Sequence, residues 1–134
     1  SLNDEFKLGT SHTFGKGKDG TIFAVGTTVS YALEAKIELK KLGIDVRVVD
    51  LYSIKPVDKE SIIKNAKETT TLVSIEDHSV IGGIGSIISN VLCEEYPKKL
   101  IKLGVKDKFG KSGNKDKLYK MYNITKEDII KCFI

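Results

Sequence analysis

The sequence predicts an α/β fold built on a mainly parallel sheet, and three observations predict it. From Thr21 onward, short apolar runs rich in β-branched residues alternate with longer stretches of helical period. The run Thr21 to Gly26 (TIFAVG) is continuously apolar, as suits a strand covered on both faces. Residues suited to starting or stopping helices also fall at the junctions between these segments.

Taken in order, the first twenty residues contain Gly9, Gly15, Gly17 and Gly20 and read as an extended arm or linker, so the domain is expected over 21–134. Thr21 to Gly26 is the first strand, and Thr27 or Thr28 can cap the helix that follows. That helix, about Val29 to Leu42, carries Val29, Ala32, Leu33, Ile37 and Leu39, and Gly43 stands where a left-handed C-terminal cap is wanted. Asp45 to Leu51 is the second strand. Pro56 fits the first turn of a helix running through Ile62 and Ile63 to Lys67. Thr70 to Glu76 is the third strand. Beyond it Ile84, Ile87, Ile88, Val91 and Leu92 mark one face of an amphipathic helix that ends before Pro97. Lys99 to Val105 reads as a fourth strand. A glycine-containing loop and two short helices follow, about Lys115 to Met121 and Lys126 to Phe133, the second capped by Thr125 with Asp128 at the reciprocal capping-box position.

At 134 residues, 40 % hydrophobic and 30 % charged, the chain is too apolar for a disordered one and long enough to bury a core. No apolar stretch approaches the ~20 residues of a membrane span, and the N-terminal residues lack the basic and apolar blocks of a secretory signal. A cytoplasmic location is therefore expected. Cys93 and Cys132 stand far apart without ligand spacing and are expected to be reduced, with no metal site. The net charge of +4 is uneven: Lys98 to Lys120 holds nine lysines against Asp107 and Asp116. A solvated face explains that run better than a nucleic-acid site, since Arg47 is the chain's single arginine.

Glu76 to Ser86 (EDHSVIGGIGS) lies directly beyond the third strand, where open parallel sheets gather ligands and where helix N–H groups favour anions. It is an incomplete dinucleotide fingerprint, because Ile88 stands where the third glycine belongs. The plainer reading is that Gly82 and Gly83 permit positive φ in a tight turn, while Gly85 allows the helix close to the sheet. Glu76, Asp77 and His78 bring carboxylates beside an imidazole, but no nucleophile or metal ligand stands at a recognisable spacing. The candidate domain-interface or anion-binding residues are therefore Glu76, His78, Gly82, Gly83, Gly85 and Ser86. Gly110 to Ser112 (GKS) fails as a phosphate loop, because five residues rather than four separate Gly104 from Gly110.

The order TIFAVGTTVSYALEA, LGIDVRVVDLYSIKPVD, TLVSIEDHSVIGGIGS and GVKDKFGKSGNKDKLYKMYNIT resembles the C-terminal domain of transketolases, over about Phe6 to Ile134. FGKSG followed by LYKMYNIT is the discriminating phrase; EDHSVIGGIGS is similar to a stretch shared more broadly with deoxyxylulose-phosphate synthases and 2-oxoacid dehydrogenase β subunits. The resemblance implies a three-layer α/β/α domain of a larger transferase. Pyrimidine- and diphosphate-binding domains of that parent would be its partners, holding thiamine diphosphate and magnesium across a homodimer interface. It implies an assembly or regulatory role, no catalytic residue in this chain, no cofactor bound by it alone, and inactivity in isolation. The alternatives are the same domain from a 1-deoxyxylulose-5-phosphate synthase, or a free-standing anion-binding interaction module using the lysine-rich face.

Overall fold

A computed structural model describes residues 9–52, 56–76, 83–104 and 126–134. Strands β1 (His12–Phe14), β2 (Gly20–Ala24), β3 (Val46–Asp50), β4 (Thr71–Glu76) and β5 (Ile101–Gly104) alternate with helices α1 (Thr28–Lys41), α2 (Lys59–Glu68), α3 (Ile84–Glu95) and α4 (Lys126–Lys131). The sheet order is β1-β3-β2-β4-β5. β2 to β5 are mutually parallel, and β1 runs antiparallel to β3 with His12 opposite Asp50 and Phe14 opposite Val48.

Side chains alternate across the sheet, so each central strand feeds two cores. Ile22, Ala24, Val46, Val48, Val73 and Ile75 pack with Ala32, Ala35 and Leu39 of α1 and Ile129 of α4. Phe23, Val49 and Leu72 pack on the other face with Ile62 and Ala66 of α2 and Ile84, Ile88, Val91 and Leu92 of α3. This is the expected three-layer α/β/α arrangement. Each of these large side chains, removed from water, contributes about 1.5–3 kcal/mol before its ordering entropy is set against it.

The helix ends follow local chemistry. α1 stops because Gly43 adopts φ +82°, letting Gly43 N–H reach Lys40 O at 3.0 Å and Ile44 N–H reach Leu39 O at 2.9 Å, a Schellman termination at the glycine expected to provide it. α2 does not begin at Pro56. Its N-cap is Asp58, whose Oδ1 accepts from Ser61 N–H at 3.1 Å, a stronger start signal than the proline two residues earlier. α4 ends at Lys131 rather than Phe133.

The segment expected to be an arm contributes to the sheet. Residues 12–14 form β1, and Thr10 Oγ1 to Tyr52 OH (2.8 Å) and Ser11 Oγ donating to Asp58 Oδ2 (2.9 Å) tie the preceding residues to the β3–α2 connection. The predicted loop over 106–114, the helix over 115–121 and the Thr125 cap lie outside the described residues. No helix among the described residues is long and apolar enough to cross a membrane.

Candidate functional site at the carboxyl ends of the parallel strands

The strand order fixes where a site belongs. From β2 the chain passes to β3 on one side, and from β4 it passes to β5 on the other, so the connections leaving neighbouring β2 and β4 diverge. α1 accordingly covers one face of the sheet and α3 the opposite face. The carboxyl ends of β2 and β4 thus form the topological switch point, the place where open α/β sheets receive ligands or partners. The segment singled out from the sequence begins there, at Glu76.

Two corners meet at this point. The β2–α1 corner is short: Gly26 takes φ +61°, and the buried Thr28 hydroxyl accepts from Val25 N–H (3.1 Å) while facing Val25 O (2.7 Å) and Ile75 O (3.2 Å). One hydroxyl therefore ties the start of α1 to the end of β4. Thr27, the other candidate cap, makes no side-chain capping bond.

The β4–α3 corner is closed by a charge. Glu76 ends β4 on the α3 face and is 8 % exposed. Its Oε2 accepts from Ile84 N–H at 2.8 Å, the first residue of α3. An orphan N–H of the helix is thereby satisfied, and the negative charge sits at the positive end of the helix dipole. Gly83 is the N-cap with φ −82°, so its glycine is not required by a positive φ as the sequence reading supposed. The requirement is steric: a Cβ at Gly83 would lie 2.4 Å from Glu76 Oε2 and 2.6 Å from Oε1. Gly85 is used as expected. It is buried, and a Cβ there would press on Ser74 Oγ and the Lys102 side chain at 3.3 Å, so the first turn of α3 rides close over β4 and β5. Ser86 lies in that same turn, half-buried. His78 and Gly82 fall outside the described residues, as does Asp77.

Glu76, Gly83, Gly85 and Ser86 are thus brought together at one helix start. The arrangement holds a corner in place. Among the described residues there is no group of three or more His, Cys, Asp or Glu side chains able to hold a metal. Thr28 was the participant that sequence reasoning left as one of two caps; the signal is a threonine two residues after a strand-ending glycine.

A cleft of about 610 Å³ lies elsewhere, between β1 and α2. Its charged lining is Lys16, Arg47 and Lys64 against Asp58, Glu60 and Glu68. Arg47, buried on its floor, is already committed: Nε donates to Gly17 O at 2.7 Å, and one terminal nitrogen donates to Asn65 Oδ1 at 3.1 Å and Glu68 Oε1 at 2.6 Å. Such a balanced surface has no preference for an anion. The lysine-rich stretch likewise begins with an internal contact, Lys98 Nζ donating to Ala66 O at 2.7 Å and to Thr69 O at the end of α2.

The family model for the transketolase C-terminal domain matches residues 9–129. The chain is 39 % identical to the 6-deoxy-6-sulfo-D-fructose transketolase subunit of Clostridium sp. strain MSTE9 over 98 % of its own length and 41 % of that protein. It is 38 % identical to the 1-deoxy-D-xylulose-5-phosphate synthase of Clostridium acetobutylicum over 97 % of its length and 21 % of the synthase. A solved split-gene transketolase, described as an inactive β4 tetramer, superposes with a TM-score of 0.87 at 41 % identity, covering 99 % of this chain and 44 % of that one. The chain therefore spans less than half the length of these relatives. A match over nearly the whole chain, in sequence and in backbone, places the chain in the transketolase C-terminal domain family.

Proposed function

We propose that this chain is the C-terminal part of a transketolase whose whole transfers a two-carbon ketol unit from a ketose phosphate to an aldose phosphate. Its task in that enzyme is assembly: it presents the carboxyl edge of its sheet, with the Glu76–Ser86 corner, to the pyrimidine- and diphosphate-binding parts of the parent, which works as a homodimer. The observation that carries this reading is the direction of β1. Because β1 runs antiparallel to β3 with His12 opposite Asp50, the chain preceding His12 arrives at the carboxyl edge. In a C-terminal domain that incoming chain comes from the rest of the parent, so the same edge faces it.

The parent's thiamine diphosphate and magnesium are assigned to those other parts. The occupation of the α3 start by the Glu76 carboxylate, where a diphosphate would otherwise sit, supports that assignment. No catalytic step is routed through this chain, and alone it is inactive. The solved relative described as an inactive β4 assembly supports that expectation. A cytoplasmic location belongs to the same reading.

The test is a ketol-transfer assay with thiamine diphosphate and magnesium, run on this chain alone and then mixed with the N-terminal part from the same organism. Activity in the mixture alone is expected. Activity from the isolated chain would overturn the assignment of chemistry to the other parts. Silence from a folded mixture would shift the reading toward the synthase relative or an independent interaction module.

A further inference from the structure

We propose that Glu76 is a resident anion, a positioning residue whose carboxylate fixes the start of α3 and thereby closes this corner to phosphate and other external anions. It deepens the assembly reading above and rests on it only for its consequence in the parent enzyme. Four observations converge. The carboxylate is buried, at 8 % exposure, on the last residue of β4. It takes the N–H of Ile84 at 2.8 Å, the contact an anion would make at this helix start. Both of its oxygens lie over Gly83, so closely that a single methyl group there would collide with them. Finally, among the described residues Gly83 supplies no side-chain cap, and the first turn, Ile84, Gly85 and Ser86, contains no acid. A strand-to-helix turn that looks like a phosphate cradle in sequence is therefore filled by the protein's own charge. The orientation of α3 relative to β4 depends on that charge being present.

The experiment is amide NMR on the 134-residue chain, with inorganic phosphate and formate as probes. In the wild type, neither probe should shift the Ile84 and Gly85 amides. Glu76→Gln keeps the shape and removes the charge, and should move the Ile84 amide upfield while the rest of the spectrum stays in place. Glu76→Ala should do the same and open the seat, so that formate returns the Ile84 amide toward its wild-type position in a saturable way. A role in packing alone would show no such rescue. If the wild-type amides follow phosphate as those of Glu76→Ala do, or if Ile84 is unmoved in Glu76→Gln, the proposal is wrong; should Glu76→Ala fail to fold, the Glu76→Gln arm still decides it. In a second arm, binding to the N-terminal part is measured for wild type and Glu76→Gln, with weaker binding expected of the variant because the start of α3 is no longer held in place. Absence of binding by wild type would sink the assembly reading while leaving the spectroscopic result on Glu76 intact.

Discussion

At the amino ends of the parallel strands the loops are tied to one another; at the carboxyl ends of β2 and β4 a single side chain in each corner holds the start of the next helix. On the amino side, Asp45 N–H donates to Asp19 Oδ2 at 2.7 Å, Thr70 and Thr71 N–H reach Lys18 O and Asp19 O, Arg47 joins Gly17 to α2, and Lys98 closes the end of α2. These bonds connect four separate segments and commit the polar groups involved to internal partners. On the carboxyl side the Thr28 hydroxyl and the Glu76 carboxylate hold the starts of α1 and α3, while Leu51 N–H donates to Ala24 O at 2.9 Å and Thr10 and Ser11 bond to Tyr52 and Asp58. The difference teaches how each edge is held: a rigid amino edge fixes the strands through bonds between loops, whereas the β2 and β4 ends rely on one side chain at each helix start.

The largest effect that would sharpen this contrast belongs to Gly17. A Cβ there would lie 2.1 Å from Asp45 O and 2.4 Å from Asp45 C, backbone atoms that cannot move without pulling β3. Gly17→Ala should cost about 3 kcal/mol, seen as a lower urea midpoint. Arg47→Met should follow at about 2 kcal/mol, since it removes charged hydrogen bonds while keeping much of the apolar volume. If either substitution proved neutral, the amino edge would not be the rigid side.

Gly83→Ala comes next and tests the carboxyl edge. Its clash is with the end of a side chain rather than backbone. The expected loss is therefore smaller, about 1–2 kcal/mol, and should arise through Glu76. In a double-mutant cycle, adding Gly83→Ala to Glu76→Ala should cost little or nothing, because the colliding carboxylate is gone. Additive losses would show that Gly83 matters for some other reason than Glu76.

The same two corners show what a sequence can and cannot disclose. β2 through β5 and α1 to α3 were legible within a few residues at either end, because continuous apolar strands, helical spacing and Gly43 are local signals. β1 was not, because Phe14 is its single apolar residue and glycines punctuate the segment around it; it becomes a strand because β3 offers an unpaired edge. At the β4–α3 corner, the need for Gly85 was readable. The Glu76–Gly83 contact was not, since it joins residues seven positions apart across a connection whose path no local pattern sets. A signal existed nonetheless: an acid ending a strand, followed by a helix with glycine where a capping side chain belongs.

The smallest expected effect is in the response to acid, and it should differ in sign between the two edges. At the amino edge, the hydrogen bond from Lys40 holds Asp45 below the usual carboxylate range, and the hydrogen bond from Arg47 does the same for Glu68. Folded pKa values below the unfolded ones mean stability that is present above the unfolded values and lost as pH falls through the folded ones. Both groups are solvent-exposed, so the loss is modest. Near the carboxyl edge, burial raises Asp50 while His12 across the strand pair acts the other way. A folded pKa above the unfolded one is a cost when the group is ionised, relieved as pH falls through the raised value. Hydrogen exchange followed downward from neutral pH should therefore show protection near Asp50 holding or rising first. Amides at the amino edge, Asp45 and Thr71 among them, should lose protection only below the ordinary carboxylate values of 3.8 and 4.5. A parallel loss at both edges would mean that neither set of charges governs local stability there.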